Sequence, residues 1–107
     1  MSKVVISKQA DHEIQEIVRY YAGHNAKRFI TELKESLRTI SRFPFIGSTF
    51  VGEAVAIPQI RSVAMKCFPY MLIYNIEGKT LTLELAVHGK RDLESLLHAT
   101  WPHTPSA

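Results

Sequence analysis

The segment Thr80-Leu81-Thr82-Leu83-Glu84-Leu85-Ala86-Val87 alternates leucine or valine with smaller or polar side chains along its whole length. Successive side chains of a strand point to opposite faces. Leu81, Leu83, Leu85 and Val87 therefore fall on one side, and Thr80, Thr82, Glu84 and Ala86 on the other. This pattern predicts a strand with one buried face and one wet face. The buried face needs an apolar cover, which narrows the fold to elements that can lie on a sheet.

Outward from this strand, Glu77-Gly78-Lys79 reads as a turn, residues 70–76 as the strand before it, and residues 60–66 as a further strand. Residues 44–59 contain Pro44, Gly47, Gly52 and Pro58 and follow no clear period. They are expected to form an irregular connection that buries some apolar side chains, Phe45 and Phe50 among them. Farther upstream the period changes to that of helices. Ala10, Ile14, Ile17, Val18 and Tyr21 form one stripe of a helix over residues 8–22, with Ser7 placed to cap its start. Gly23 suits the left-handed residue that ends such a helix, and Asn25 is the expected cap of the next. Phe29, Ile30, Leu33, Leu37 and Ile40 make the second apolar face, extended by Phe43 and stopped by Pro44. So short a break forces the two helices back on each other as an antiparallel hairpin. Val4-Val5-Ile6, β-branched throughout, reads as a first strand.

The fold class that follows is α+β. An N-terminal strand and a two-helix antiparallel hairpin pack on one face of a mainly antiparallel sheet of about four strands. Leu93, Leu96 and Leu97 add a final helical turn or two. Residues 1–99 make one domain, and residues 100–107 make a proline-rich, loose tail in which Trp101 is the one side chain that could dock.

Composition sets wide bounds. A chain of 107 residues that is 46% hydrophobic and 21% charged is an ordinary globular domain, able to bury a core unaided. Its one cysteine, Cys67, excludes an intrachain disulfide and fits a reducing cytoplasm. Neither an apolar run of membrane-spanning length nor a signal-peptide pattern is present, so the cytoplasm is the expected location and no membrane partner is expected. The net charge of +3 suits either nucleic acid or an acidic protein without choosing between them.

Motifs for chemistry are sparse. Of the histidines, His12, His24, His88, His98 and His103, no two stand three or four apart, so no metal is expected. Glycine-rich phosphate loops and serine or cysteine nucleophile motifs are missing too, and no cofactor is implied. Asp11, Glu13, Glu16, Glu32 and Glu35, with Lys8, Arg19, Lys34 and Arg38 nearby, read as solvated helix faces. One cluster stands apart: His88-Gly89-Lys90-Arg91-Asp92 follows directly on the strongest strand. Lys90 and Arg91 suit phosphate contacts, and histidine, the residue at 88, is the one side-chain type able to exchange a proton near neutrality. Equally, Arg91 and Asp92 suit a simple strand cap. Arg61 and Lys66 on the neighbouring strand extend the basic set if they face the same way.

The element order and the wording of four segments resemble the RelE/ParE toxin superfamily over residues 3–97. The segments are Glu13-Ile14-Gln15-Glu16-Ile17-Val18-Arg19-Tyr20-Tyr21; Arg42-Phe43-Pro44-Phe45-Ile46-Gly47; Phe68-Pro69-Tyr70-Met71-Leu72-Ile73-Tyr74; and Val87-His88-Gly89-Lys90-Arg91-Asp92. RelE-like members cut messenger RNA on the ribosome, a reaction that needs acids, bases and cations at fixed positions. Two catalytic lysines of RelE fall here at Ser62 and Ala64, an arginine at Met71 and a tyrosine at Leu97. Only the arginine of the Gly-Lys-Arg loop is matched, by Arg91. A version of that chemistry using a histidine at the end of the last strand keeps His88 and Arg91 as catalytic alternatives.

The Phe-Pro-Tyr segment and the long helical hairpin are similar to the ParE branch. Its members poison DNA gyrase by binding and have no catalytic residues. The resemblance thus implies a type II toxin with DNA gyrase as target, neutralised by a ParD-like antitoxin, with ribosome and messenger RNA as the alternative target. A third possibility is a member that binds its antitoxin and has lost toxicity. Target- or antitoxin-binding positions are assigned to Arg61, Lys66, His88, Lys90, Arg91, Tyr20 and Tyr21. The tyrosines would serve with Phe29 as exposed members of the helix stripes.

Overall fold

A computed structural model describes residues 2–89 of the chain. They form β1 (Lys3–Ile6), α1 (Lys8–Tyr21), α2 (Gly23–Arg42), a 3₁₀ turn (Pro44–Ile46), α3 (Phe50–Ala54), β2 (Ile60–Ala64), β3 (Tyr70–Glu77) and β4 (Thr80–His88). The sheet order is β1-β4-β3-β2, with β1 parallel to β4 and the other pairs antiparallel. This is the expected α+β arrangement, and its one parallel pair joins β1 to β4 by a crossover that runs through the helices and the β2–β3 pair.

Ser7 joins strand to helix as expected. Its hydroxyl oxygen accepts from the Ala10 backbone N–H at 3.0 Å and donates to the Glu84 carbonyl at 2.9 Å. Ala10, Ile14 and Ile17 then pack with Phe29 and Leu33 of α2 and with Leu72, Leu83 and Ala86 of the sheet. The link between the helices departs from expectation. Ala22 and Gly23 take the positive φ values, 53° and 52°, and α2 starts at Gly23 without a side-chain cap, so Asn25 lies inside the helix. Two consecutive left-handed residues reverse the chain in a single linking position, and no room is left for a capping loop.

Residues 44–59 are more regular than expected and bury different side chains. Phe45 and Phe50 are 68% and 56% exposed, while Val51 is fully buried. The physical reason is α3. This short helix turns Val51 onto Ile60, Ile73, Leu85 and Val87, and Phe50, one residue earlier, looks out. Gly52 lets α3 sit close, since a Cβ there would fall 2.4 Å from the Ile60 carbonyl oxygen and 2.8 Å from that of Ile57.

The decisive strand is real, but its four large apolar residues do not share a face. Ile73 pairs with Leu85 and Tyr74 with Leu83, so Glu84 is an extra residue and β4 carries a bulge. Before it, Leu81 packs with Ile40 and Tyr74, and Leu83 with the α1–α2 layer; after it, Leu85 and Val87 turn to α3. Ala86 correspondingly turns to the helices. No wet face results at the centre, where Glu84 and Ala86 are buried at 4% and 3% exposure. β2 is also shorter than expected and ends at Ala64, which leaves Lys66 in the loop to β3. There the Glu32 carboxylate of α2 accepts from the Lys66 and Cys67 backbone N–H groups at 2.6 and 3.0 Å.

Candidate functional site

Residues of α1 spaced by three and four form one wall of an open groove. His12, Glu13, Glu16, Ile17 and Tyr20 face Pro69, Tyr70, Ala86 and His88 across about 380 Å³. The groove exists because β1 is short. It pairs with β4 only at residues 80–83, so the outer edge of β4 continues beyond its neighbour. Ser7 and Glu13 occupy that edge: Ser7 binds the Leu83 and Glu84 carbonyls, and a Glu13 carboxylate oxygen accepts from the Ala86 N–H at 2.8 Å. Glu16 forms an ion pair with Arg19. Among the described residues, the lining therefore holds two carboxylates and two imidazoles but no lysine or arginine.

The expected site residues scatter over the molecule. His88 and Tyr20 come together in this groove, where the His88 ring meets Tyr70 edge-on at 5.9 Å. Tyr20 is 79% exposed and free to contact a partner. Tyr21 instead lies within an aromatic cluster, edge-on to Tyr20 and Phe68 at 5.1 and 5.2 Å and stacked on Phe29. Phe29, offered as an exposed contact, is fully buried. Lys66 lines a different groove, between α2 and β2. Arg61 sits at the far end of the sheet, where its guanidinium donates to the carbonyls of Phe45 and Gly47 at 3.0 and 3.1 Å and covers the Phe45 ring at 5.1 Å. Neither Arg61 nor Lys66 lines the His88 groove. Lys90 and Arg91 lie outside the described residues.

His12, Glu13, Glu16 and Tyr70 were not singled out in the sequence, where the acids read as solvated faces. The available signal was the helical spacing of His12, Glu13, Glu16 and Tyr20, which sets a polar strip beside the apolar stripe. Among the described residues, no group of three or more histidine, cysteine or acidic side chains is arranged to hold a metal ion. No helix there is long and apolar enough to cross a membrane.

A second surface was also missed. Phe43, Phe45, Ile46 and Phe50 are all more than half exposed, in one short stretch between α2 and α3. Beneath them, the fully buried Tyr74 holds the turn, its hydroxyl accepting from Gly47 N–H at 3.1 Å and donating to the Pro44 carbonyl at 2.7 Å. Burial pushes the Tyr74 hydroxyl above its ordinary pKa, against the lowering effects of the Gly47 hydrogen bond and Arg61, so it stays a donor.

The chain matches, over residues 4–93, the family described as the ParE toxin of type II toxin–antitoxin system, parDE. It also resembles a solved chain from the chromosomal ParDE TA system of P. aeruginosa. There the TM-score is 0.67 at 13% identity, over 82% of this chain and 96% of that one, a likeness of fold. No curated protein sequence matches.

Proposed function

Because this chain belongs to the ParE toxin family of type II toxin–antitoxin systems, we propose that it is a toxin that inhibits DNA gyrase by binding, without catalysis of its own. The observation that carries this reading is the lining of the His88 groove. Cleaving RNA there needs cations to stabilise the extra charge on the phosphorane. In place of cations, the described lining offers Glu13, bonded to the Ala86 N–H, and Glu16, paired with Arg19. Ser62, Ala64 and Met71 likewise hold no charge on β2 and β3.

The same groove suits a ParD-like antitoxin. Ile17, Tyr20, Pro69 and Ala86 give it apolar contact beside the β4 edge that Ser7 and Glu13 cap. A segment that orders on binding uses apolar pockets of this kind.

Messenger RNA cleavage through His88 and Arg91 is the second reading. It is favoured by the two imidazoles, His12 and His88, that line one groove with two carboxylates. Supercoiling and DNA cleavage by purified gyrase separate the readings. Inhibition with accumulation of cleaved DNA is expected. Unaffected, active gyrase in the presence of folded protein would refute the gyrase reading. Cut messages on translating ribosomes, abolished by His88→Ala, would establish the alternative.

A further inference from the structure

Helix α2 carries a strip of positive charge on the side it leaves to solvent. Ala26, Phe29, Leu33 and Ile40 set its buried side. Lys27, Lys34, Arg38 and Arg42 follow one another at whole multiples of a helical turn, so they share one strip, with Arg28 beside it. All five are exposed. From Lys27 to Arg42 the strip rises ~22 Å, at ~1.5 Å per residue.

The carboxylates nearby do not cancel it. Glu32 is committed to the Lys66 and Cys67 backbone N–H groups, and Glu35 lies on the flank that borders the α2–β2 groove. Counting both, α2 still holds as much net positive charge as the whole chain. On α1, Glu13 and Glu16 belong to the β4-edge groove, and the Asp11 carboxylate accepts from Gln15 at 2.8 Å. Among the described residues, Arg19 forms an ion pair with Glu16, whereas none of the five α2 cations pairs with a carboxylate.

Such charge suits nucleic acid or an acidic protein, and the other side chains on the helix choose between them. Protein contact cores are anchored by buried aromatic and arginine side chains in desolvated pockets. No large exposed apolar side chain belongs to α2, the first being Phe43, one residue past its end. Single strands are held by bases stacked on aromatic rings, which the strip also lacks. The Thr31 and Thr39 hydroxyls donate to the Lys27 and Glu35 carbonyls at 3.0 Å, turned back into the helix and away from any base edge. Cations in a row fit the phosphates of a duplex, which presents one negative charge per ~1.7 Å of axis.

We propose that the outer face of α2 binds duplex DNA through its phosphates, without reading sequence, and that this contact holds the toxin to the DNA on which gyrase acts. The second half rests on the gyrase reading; binding to DNA does not.

The test titrates a fluorescent duplex of arbitrary sequence with the full chain and follows anisotropy over a range of salt. Wild type should bind with a Kd of about 1–100 μM near physiological salt, and log K should fall against log salt with a slope of about −3 to −4. Lys34→Gln/Arg38→Gln should flatten that slope by about two and weaken binding about sixtyfold near ~0.1 M salt. Lys8→Gln/Lys79→Gln removes the same charge from exposed positions off this face and should stay within about threefold of wild type. Urea unfolding verifies that both variants are folded. In gyrase supercoiling, the α2 variant should need about tenfold more protein for half-inhibition.

A wild-type chain that ignores the duplex, or an equal loss in both variants, overturns the assignment of this face. Tighter binding to a single-stranded RNA of the same length, or equal binding to labelled polyglutamate, overturns it too and identifies RNA or an acidic protein as the occupant. Lost duplex binding with undiminished inhibition of gyrase overturns the second half. Wild type that binds the duplex through α2 but spares gyrase refutes the gyrase reading and leaves the DNA surface standing.

Discussion

Removing one oxygen atom, by Tyr74→Phe, is expected to destabilise the whole domain. The ring stays and keeps its contacts with Ile40 and Leu81, so the packing change is small. Two hydrogen bonds are lost, at 3.1 Å from Gly47 N–H and 2.7 Å to the Pro44 carbonyl. Each contributes about 1 kcal/mol net, and leaving the buried Gly47 N–H unsatisfied costs a further ~1–3 kcal/mol. The partly buried Pro44 carbonyl recovers part of its share from water. The sum is about 2–4 kcal/mol. Urea unfolding should show it as a lower midpoint with unchanged slope. Because a domain of this size moves about 4–8 °C per kcal/mol, Tm should fall by about 10–25 °C.

The pH dependence gives a second, sharper reading of the same atom. Burial raises the folded pKa of Tyr74 above the unfolded value. A raised value means the hydroxyl adds stability that is fully present below the unfolded pKa, about 10, and is lost as pH climbs through the folded pKa. Between the two values the loss is at most ~1.4 kcal/mol per pH unit. Phenylalanine cannot ionise. The stability gap between wild type and Tyr74→Phe should therefore be constant from neutrality to about pH 9 and narrow above pH 10. A gap below about 0.5 kcal/mol at neutral pH, within the range of inconsequential substitutions, would refute the hydrogen-bond argument. A gap that holds or widens at high pH would refute the ionisation argument.

Other perturbations probe other joints. Gly52→Ala drives a Cβ to within 2.4 Å of the Ile60 carbonyl oxygen, and backbone cannot yield cheaply. A loss of about 2–3 kcal/mol is expected in thermal unfolding, and a neutral result would show that α3 is free to shift. Ser7→Ala removes the α1 cap and the donor to Glu84, and about 1–2 kcal/mol should disappear from chemical unfolding. Glu32→Ala frees the Lys66 and Cys67 N–H groups, so their amide hydrogen exchange should accelerate while that of β4 stays slow. Equal acceleration in β4 would mean that Glu32 supports the whole fold and not the β2–β3 loop alone.

Much of this architecture was legible in residue order. The helix stripes at Ala10, Ile14 and Ile17 and at Phe29, Leu33 and Ile40 specify their own buried faces, because a period of 3.6 in apolar side chains has one satisfactory orientation against a sheet. Ser7 could be placed as a cap from local chemistry, and Gly78, at φ 59°, as the turn between β3 and β4. The four toxin-like segments carried the family, since each is short but their order and spacing constrain one another.

Tertiary structure decided the rest. Leu83 and Leu85 follow the same alternation in sequence, yet a single extra residue, Glu84, sends them to opposite faces. A bulge depends on how two strands register, and that information lies in β3 as much as in β4. Phe45 and Phe50 looked like core because they are large and apolar. Phe45 is exposed on a turn that Tyr74, nearly thirty residues away, and Arg61 hold, and Phe50 is exposed because α3 turns Val51 inward. The groove was hidden for a similar reason. His12 and His88 stand far apart in the sequence, and they share a surface because β1 stops short and leaves α1 to cover the outer edge of β4. Short-range periodicity determines what an element buries; which surfaces remain, and what lines them, follows from where the elements end against one another.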